Sequence, residues 1–222
     1  IGLSLPKVRT SRIYVDASSV AMYGGNSGIQ RVVRGVCNHL SKALLEDDAT
    51  VHVVYSNTGL GSFKELTSFQ VDGSFSPDPK SDPPVDFRDG DKLLFADLHP
   101  GLAINCESEL QRLRVLGVRY YYILYDLLPV TMPEKFWPEL QTEFFRWLQA
   151  ISRSDGIICI SQTVADEASR YLDKFGVKRP DKLKIDFFTL GSDIEAASVG
   201  GALPADCDRI EEALGAGLKF LM

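Results

Sequence analysis

Arg12-Ile-Tyr-Val-Asp16, followed a few residues on by Tyr23-Gly-Gly-Asn-Ser-Gly-Ile-Gln-Arg31, is the stretch on which the fold turns. The first segment is a short apolar run of strand character, and the second is a glycine-rich turn feeding a helix. Ser27 with Gln30 three residues later has the pattern of a capping box. Ile29, Val32, Val33, Val36, Leu40 and Leu44 then recur at helical spacing. A helix start of this kind presents free backbone N–H groups and the positive end of the helix dipole, an arrangement suited to a diphosphate. Gly24, Gly25 and Gly28 would let the backbone approach such a group closely. An ordinary strand-to-helix turn, found in any α/β protein, is the competing reading.

Working outward, apolar strand candidates cover residues 13–16, 51–55, 92–96, 119–125, 156–160 and 184–190 and are separated mostly by helical patterns. That alternation predicts parallel βαβ units in a Rossmann-like, doubly wound α/β sheet. Leu110, Leu113 and Leu116 lead to a helix end at Gly117. Phe136, Leu140, Phe144, Trp147, Leu148 and Ile151 mark a long buried helix face, and Val164, Ala168, Tyr171, Leu172 and Phe175 mark another that closes at Gly176. Their aromatic side chains are read as core rather than as a cofactor platform. Residues 56–90, interrupted by glycines and prolines, read as a long loop or irregular crossover of the kind that is often functional or mobile. Residues 198–204 are small and glycine-containing and read as a linker. The chain opens on Ile1 and ends on Lys219-Phe-Leu-Met222, which has the look of a strand just begun. The expectation is a first domain over residues 1–197, with 198–222 leading into a further domain of a longer protein.

Composition narrows the function classes. With 24 Lys+Arg against 30 Asp+Glu the formal net charge is -6, which argues against a nucleic-acid partner while leaving room for local phosphate sites. Cys37, Cys106, Cys159 and Cys207 show no C-x-x-C spacing and read as reduced, packed thiols of a cytosolic protein. His39, His52 and His99 are scattered without ligand spacing, so no metal site is expected. No run reaches the ~18 apolar residues of a membrane span, and no signal-peptide pattern opens the chain. Peripheral membrane association stays open, because a surface patch need not show in linear order.

In open α/β sheets ligands gather at the carboxyl ends of the strands. The residues there are polar: Asp16, Ser18 and Ser19 after the first run, Asp97 and His99 after the third, Asp126 after the fourth, Ser161 after the fifth, and Thr189, Ser192 and Asp193 after the sixth. A carboxylate at such a position can orient a hydroxyl or accept its proton, and His99 can do the same near neutral pH. Capping of the next helix is the alternative at each position. Asp126 stands out because the apolar Tyr120-Tyr-Tyr-Ile-Leu-Tyr125 precedes it directly. Arg31 and Arg34 fall in the first two turns of the glycine-loop helix, where a cation opposes the dipole and could meet a phosphate or carboxylate partner. Dehydrogenase-type dinucleotide binding is disfavoured: the loop is Gly24-Gly25-x-x-Gly28, and the second strand runs into Ser56-Asn57 with nothing acidic for a ribose. The motifs G-x-x-x-x-G-K-[ST] and G-x-S-x-G are absent.

Taken in order, Asp16-Ala-Ser-Ser, Gly28-Ile-Gln-Arg-Val-Val-Arg34, Gly90-Asp-Lys-Leu-Leu-Phe-Ala-Asp97, Tyr125-Asp-Leu-Leu-Pro129, Ser154-Asp-Gly-Ile-Ile-Cys-Ile-Ser161 and Leu190-Gly-Ser-Asp193 resemble the N-terminal half of family-four retaining glycosyltransferases of the GT-B fold. Similar members are bacterial mannosyl- and rhamnosyltransferases that build O-antigen or other surface polysaccharides. The resemblance implies two Rossmann-like domains facing each other across a cleft, with the acceptor held by the first. It implies a nucleotide-diphosphate sugar as donor substrate and no further cofactor, a glycan or lipid-linked oligosaccharide as acceptor, and work in the cytoplasm, at the inner face of the cell membrane where the acceptor is lipid-linked. By resemblance, Gly24, Gly25 and Gly28 approach the donor diphosphate and Asp126 lies near the reacting sugar. From their places in the chain rather than from the resemblance, His99 is a second catalytic candidate and Arg31, Tyr125 and Ser161 are candidate substrate contacts. Many members carry a histidine just before the aspartate, where this chain has Tyr125. The donor-binding basic residues and paired glutamates of the family belong to a C-terminal domain beyond Lys219 to Met222. The rival reading, from another class, is a non-catalytic α/β binding or assembly module whose polar strand ends are only caps.

Overall fold

Period-two alternation in the apolar runs builds the sheet, and each face then takes its own layer of helices. The structure, a computed structural model, describes residues 11–25, 27–43, 49–56, 62–67, 76–179 and 181–191. Its strands are β1 (Ser11–Asp16), β2 (Ala49–Tyr55), β3 (Lys64–Glu65), β4 (Lys92–Phe95), β5 (Arg119–Leu124), β6 (Gly156–Cys159) and β7 (Lys184–Phe187). They form one sheet in the order β3-β2-β1-β4-β5-β6-β7, parallel throughout except for the short antiparallel edge strand β3. Strand β1 is central and pairs in parallel with both β2 and β4. From β1 the chain crosses to β2 on one side, then returns past it to β4 on the other. The order therefore reverses between β1 and β4, which opens a crevice at their carboxyl ends.

The helices are α1 (Ser18–Tyr23), α2 (Gly28–Ala43), α3 (Pro100–Asn105), α4 (Glu107–Val115), α5 (Leu128–Thr131), α6 (Pro138–Ile151) and α7 (Gln162–Phe175). Proline opens α3 and α6, where its missing N–H costs nothing and its fixed φ suits the first turn. Alternate residues of each strand serve alternate layers. Tyr14, Phe95, Tyr122 and Leu124 pack with Leu113, Trp147, Leu148 and Ile151 on one face. Val15, Tyr55, Ala96, Ile123 and Tyr125 pack with Val20, Val33 and Cys37 on the other. The rings of Phe95 and Tyr122, cross-strand neighbours, stack with centroids 4.4 Å apart. Cys37, Cys106 and Cys159 are buried free thiols, and Cys207 lies outside the described residues.

Six strands match the expected runs, with four shortened: β4, β5 and β6 each end one residue early, at Phe95, Leu124 and Cys159, and β7 stops at Phe187 rather than continuing to Leu190. Strand β3 is an addition inside the stretch read as an irregular crossover. The described part of that stretch is packed: Phe63, Leu66 and Phe87 are buried, and Asp82 accepts hydrogen bonds from the Tyr55 hydroxyl (3.0 Å), the Thr67 hydroxyl (2.6 Å) and the Asp78 N–H (2.8 Å). Described residues through Leu190 form one compact unit. The domain boundary expected at 197, the segment 198–222, Ser192 and Asp193 lie outside the described residues. Among the described residues no helix is long and apolar enough to cross a membrane.

Trp147 is 1% exposed at the centre of the α6 face. Trp147→Ala should remove about 3–5 kcal/mol of stability, read as a lowered midpoint in chemical denaturation with little change in slope.

Candidate functional site

The strand-order reversal brings two buried carboxyl groups to the carboxyl edge. Asp16 closes β1 and is fully buried; Asp97, two residues beyond β4, is 5% exposed. The Ser18 hydroxyl donates to Asp16 Oδ1 and accepts the Ser56 N–H at 2.8 Å. Asp97 Oδ2 accepts the Val20 N–H at 2.9 Å, and the Ser19 N–H also points to this carboxylate. Asp97 thus caps α1 from the other side of the crevice, a role that no residue of the helix's own approach fills. Asp16 Oδ2 is buried without a hydrogen-bond partner, as is the Tyr122 hydroxyl two strands away on the same face. Burial pushes the Asp16 carboxyl from 3.8 up to about 8; the Ser18 bond acts against this and the neighbouring Asp97 adds to it. Asp97 is also raised, chiefly by burial. Asp16 is therefore mainly protonated at neutral pH.

The glycine turn lies one short helix beyond β1 rather than directly after the strand, a correction to the simple strand-turn-helix expectation. Its capping box is present: Ser27 N–H donates to Gln30 Oε1 at 2.8 Å, and Gln30 N–H donates to Ser27 Oγ at 3.3 Å. The Gln30 amide also donates to the Gly24 carbonyl at 2.6 Å, and Arg34 donates to the Gly25 carbonyl at 2.7 Å. The turn is clasped by the helix it starts. Gly24 and Gly25 have φ of 64° and 98°, a region that L side chains rarely adopt. Gly28 begins α2, and a Cβ there would meet nothing within 4 Å. Arg31 is exposed one turn inside the helix.

The remaining expected site residues line the same edge. His99 caps α3, its Nδ1 accepting the Leu102 N–H at 2.8 Å, which leaves Nε2 as the nitrogen that carries the proton in the neutral ring. Tyr125 is buried and donates to the Ala96 carbonyl at 2.7 Å, tying the ends of β5 and β4 together; burial holds its phenol well above the ordinary range. Asp126 is half-buried, with Oδ1 accepting the Leu128 N–H at 3.0 Å. Ser161 caps α7 by accepting the Val164 N–H at 3.2 Å. His99 acts electrostatically on Asp97. Asp126 and Ser161 each sit at their own strand end, engaged with their own helix. Asp16, Ser18 and Asp97 stood among the polar strand ends in the sequence but outside the proposed site residues; what the sequence did not show is that the first and third runs are neighbours in the sheet, which brings them together.

No protein-family profile matches the chain. Three curated sequences from Escherichia coli, each described as serotype-specific mannosyltransferase WbdA, are 26% identical over 219 residues. The chain resembles a bacterial mannosyltransferase. The alignment takes in 97% of this chain but only 26% of each relative, so the chain spans about a quarter of the length of the curated relatives it matches. It runs through the same span as the ordered motifs, so the resemblance drawn from those motifs and the measured similarity agree.

Two variants probe the site's construction. Asp16 is unusual in binding its proton more tightly in the folded than in the unfolded chain, so its contribution is complete below about pH 4 and is lost as pH rises toward 8. One proton sets a ceiling of about 1.4 kcal/mol per pH unit on that slope. Asp16→Asn should flatten it: the variant is less stable than the parent at pH 5 and the gap closes by pH 8, measured by denaturant unfolding at each pH. At Gly25 a Cβ would stand 2.5 Å from Gln30 Oε1 in addition to the positive φ. Gly25→Ala should cost about 1–2 kcal/mol, while Gly28→Ala stays within about 0.5 kcal/mol of the parent, seen as a lower melting temperature for the first alone.

Proposed function

We propose that this domain is the acceptor-side half of a GT-B glycosyltransferase that moves mannose, or a related hexose such as rhamnose, from a nucleotide-diphosphate sugar to a glycan hydroxyl with retention, in the synthesis of a bacterial polysaccharide. The observation that carries the reading is the similarity to curated mannosyltransferases along 97% of the chain. A polar carboxyl edge at a strand-order switch supports it. In this reading the rest of the donor site comes from a C-terminal domain of the same protein, and the acceptor is a glycan or lipid-linked oligosaccharide.

The chemistry asks for two things of this half. As the new bond forms between the acceptor oxygen and the anomeric carbon, the bond from that carbon to the diphosphate breaks and charge builds on the leaving group. The N–H groups of Gly28 and Ile29 lack partners among the described residues and in this reading, with the α2 dipole, they meet that charge. On the other side of the crevice, Asp126 keeps one carboxylate oxygen outside its turn bond and His99 keeps Nε2, and these orient the acceptor hydroxyl. No metal or cofactor is needed for either role.

The test uses the full-length enzyme with a panel of sugar nucleotides and a lipid-linked or oligosaccharide acceptor, with product mass and linkage determined. A mannosyl product with the anomeric configuration of the donor is expected. Asp126→Asn should lower kcat by about 10²-fold or more while leaving the melting temperature near that of the parent. Gly28→Val adds a side chain in open space, so folding should be kept and turnover lost. Wild-type turnover in both variants would leave these residues as caps only.

A further inference from the structure

Helix α1 links the central strand to the glycine turn, and little apolar packing holds it. Val20 and Ala21 are its buried apolar residues, while Met22 is 37% and Tyr23 73% exposed at its far end. Six residues cannot sustain a helix alone, so polar ties decide where it sits. Those ties gather at its start. Ala17 N–H donates to the Val54 carbonyl at 2.9 Å and Val20 N–H to Asp97 Oδ2 at 2.9 Å; the Ser18 hydroxyl donates to Asp16 and accepts the Ser56 N–H at 2.8 Å. At its end Gly24 N–H donates to the Val20 carbonyl at 2.9 Å, and the Gln30 amide donates to the Gly24 carbonyl. A shift of α1 is therefore carried directly into the capping box.

Asp16 is the group in this set that can change state. It is fully buried, and its Oδ2 has no hydrogen-bond partner among the described residues. Titratable groups surround it: Asp97 beyond β4, Cys37 on α2, Cys106 at the α3–α4 joint and Tyr122 on β5, with His99 acting in turn on Asp97. Burial holds both thiols and the phenol in their neutral forms, so Asp97 is the charge that Asp16 meets. An ionised Asp16 would face that like charge with one oxygen desolvated and unpaired, and the neutral acid avoids both costs. Strand β1 cannot yield to relieve it, because Asp16 is paired on both sides, with Val54 of β2 and Phe95 of β4. The short helix can yield, and its Ser18 is the direct contact.

We infer that Asp16 is a positioning residue for an anion site at the start of α2, that it serves only as the neutral acid, and that loss of its proton releases α1 and loosens the clasped turn. The anion, a diphosphate, rests on the transferase reading; the hold on α1 does not. Burial pushes the Asp16 carboxyl up to about 8, so the change falls there. Below that pH the folded chain keeps the proton and the turn is held; above it the carboxylate forms and the hold is lost. Linkage makes the effect reciprocal. An anion that binds the held turn favours neutral Asp16, so binding near the midpoint takes up a proton from solvent.

The test compares the full-length protein with Asp16→Asn, which keeps an oxygen for the Ser18 hydroxyl and stays neutral at every pH. Amide hydrogen exchange of residues 18–24 is followed by mass spectrometry at about pH 7 and pH 9, and binding of free guanosine and uridine diphosphate by calorimetry. At the higher pH, α1 of the parent should exchange about fivefold faster than in the variant, with the two within about twofold at the lower. Affinity for the diphosphate should fall about threefold or more between the two in the parent and stay level in the variant. Near pH 8 the parent should take up part of a proton on binding, read from heats in two buffers of different ionisation enthalpy, and the variant none. Should Asp16→Asn not fold, the parent alone decides: corrected for intrinsic rates, exchange in α1 must rise with pH more than in α7. Matching α1 exchange in parent and variant at the higher pH, or a parent affinity that does not fall, would overturn the inference whatever the protein transfers. An α1 that responds to pH in a protein that binds no nucleoside diphosphate and transfers no sugar would sink the transferase reading and leave the hold on α1 standing.

Discussion

The hydrogen bonds from the first turn of α1 to Asp97 are the constraint on which the site depends. At a strand-order switch the chain leaves neighbouring strands toward opposite faces, and the backbone donors at the start of the first connection find no partner nearby in sequence. A six-residue helix cannot nucleate itself in water. Asp97 reaches across the switch to hold it, while Ser18 fastens the same turn to Asp16 and to the end of β2. With its start pinned, α1 delivers Gly24 to a fixed place, and Gln30 closes the glycine turn onto α2. The direction of the α2 N–H groups is thus set by a carboxylate from another strand.

That device is bought with desolvation. Two neighbouring buried carboxyl groups cannot both be charged at low cost, and the raised Asp16 reflects the result: a neutral acid beside a capping carboxylate. The pair contributes placement more than stability. A well-packed apolar pair would give a firmer domain, but it would leave α1 uncapped and the glycine turn without an anchor.

Much of this was legible from the chain, and the reason is locality. The parallel sheet follows from apolar runs of strand length, and the Ser27–Gln30 box follows from three-residue spacing, because partners within one turn leave their mark in the sequence. Helix α1 was not legible, since its cap lies 77 residues away. Strand β3 was not legible either: two residues cannot show a period, and its place is set by the packing of Phe63 and Leu66 and by the Asp82 cluster. At the strand ends the local alternative was realised, as a helix cap for His99 and Ser161 and as a turn bond for Asp126. Each of these uses one acceptor atom, so it does not decide what the remaining atoms of His99 and Asp126 do.

The charges along the edge are sorted. Toward β1 the backbone offers, at the start of α2, N–H groups without a partner among the described residues, with Arg31 nearby and no acidic residue in the first turn. On the β4–β5 side Asp126 offers a carboxylate oxygen and His99 an Nε2–H. An anionic ligand is drawn to the first side and turned away from the second, while a polyol suits the second and gains little from the first. In a chain of net charge -6 that sorting does not follow from overall composition. It comes from a helix start clasped on one side of the switch and a carboxylate held at its own strand end on the other.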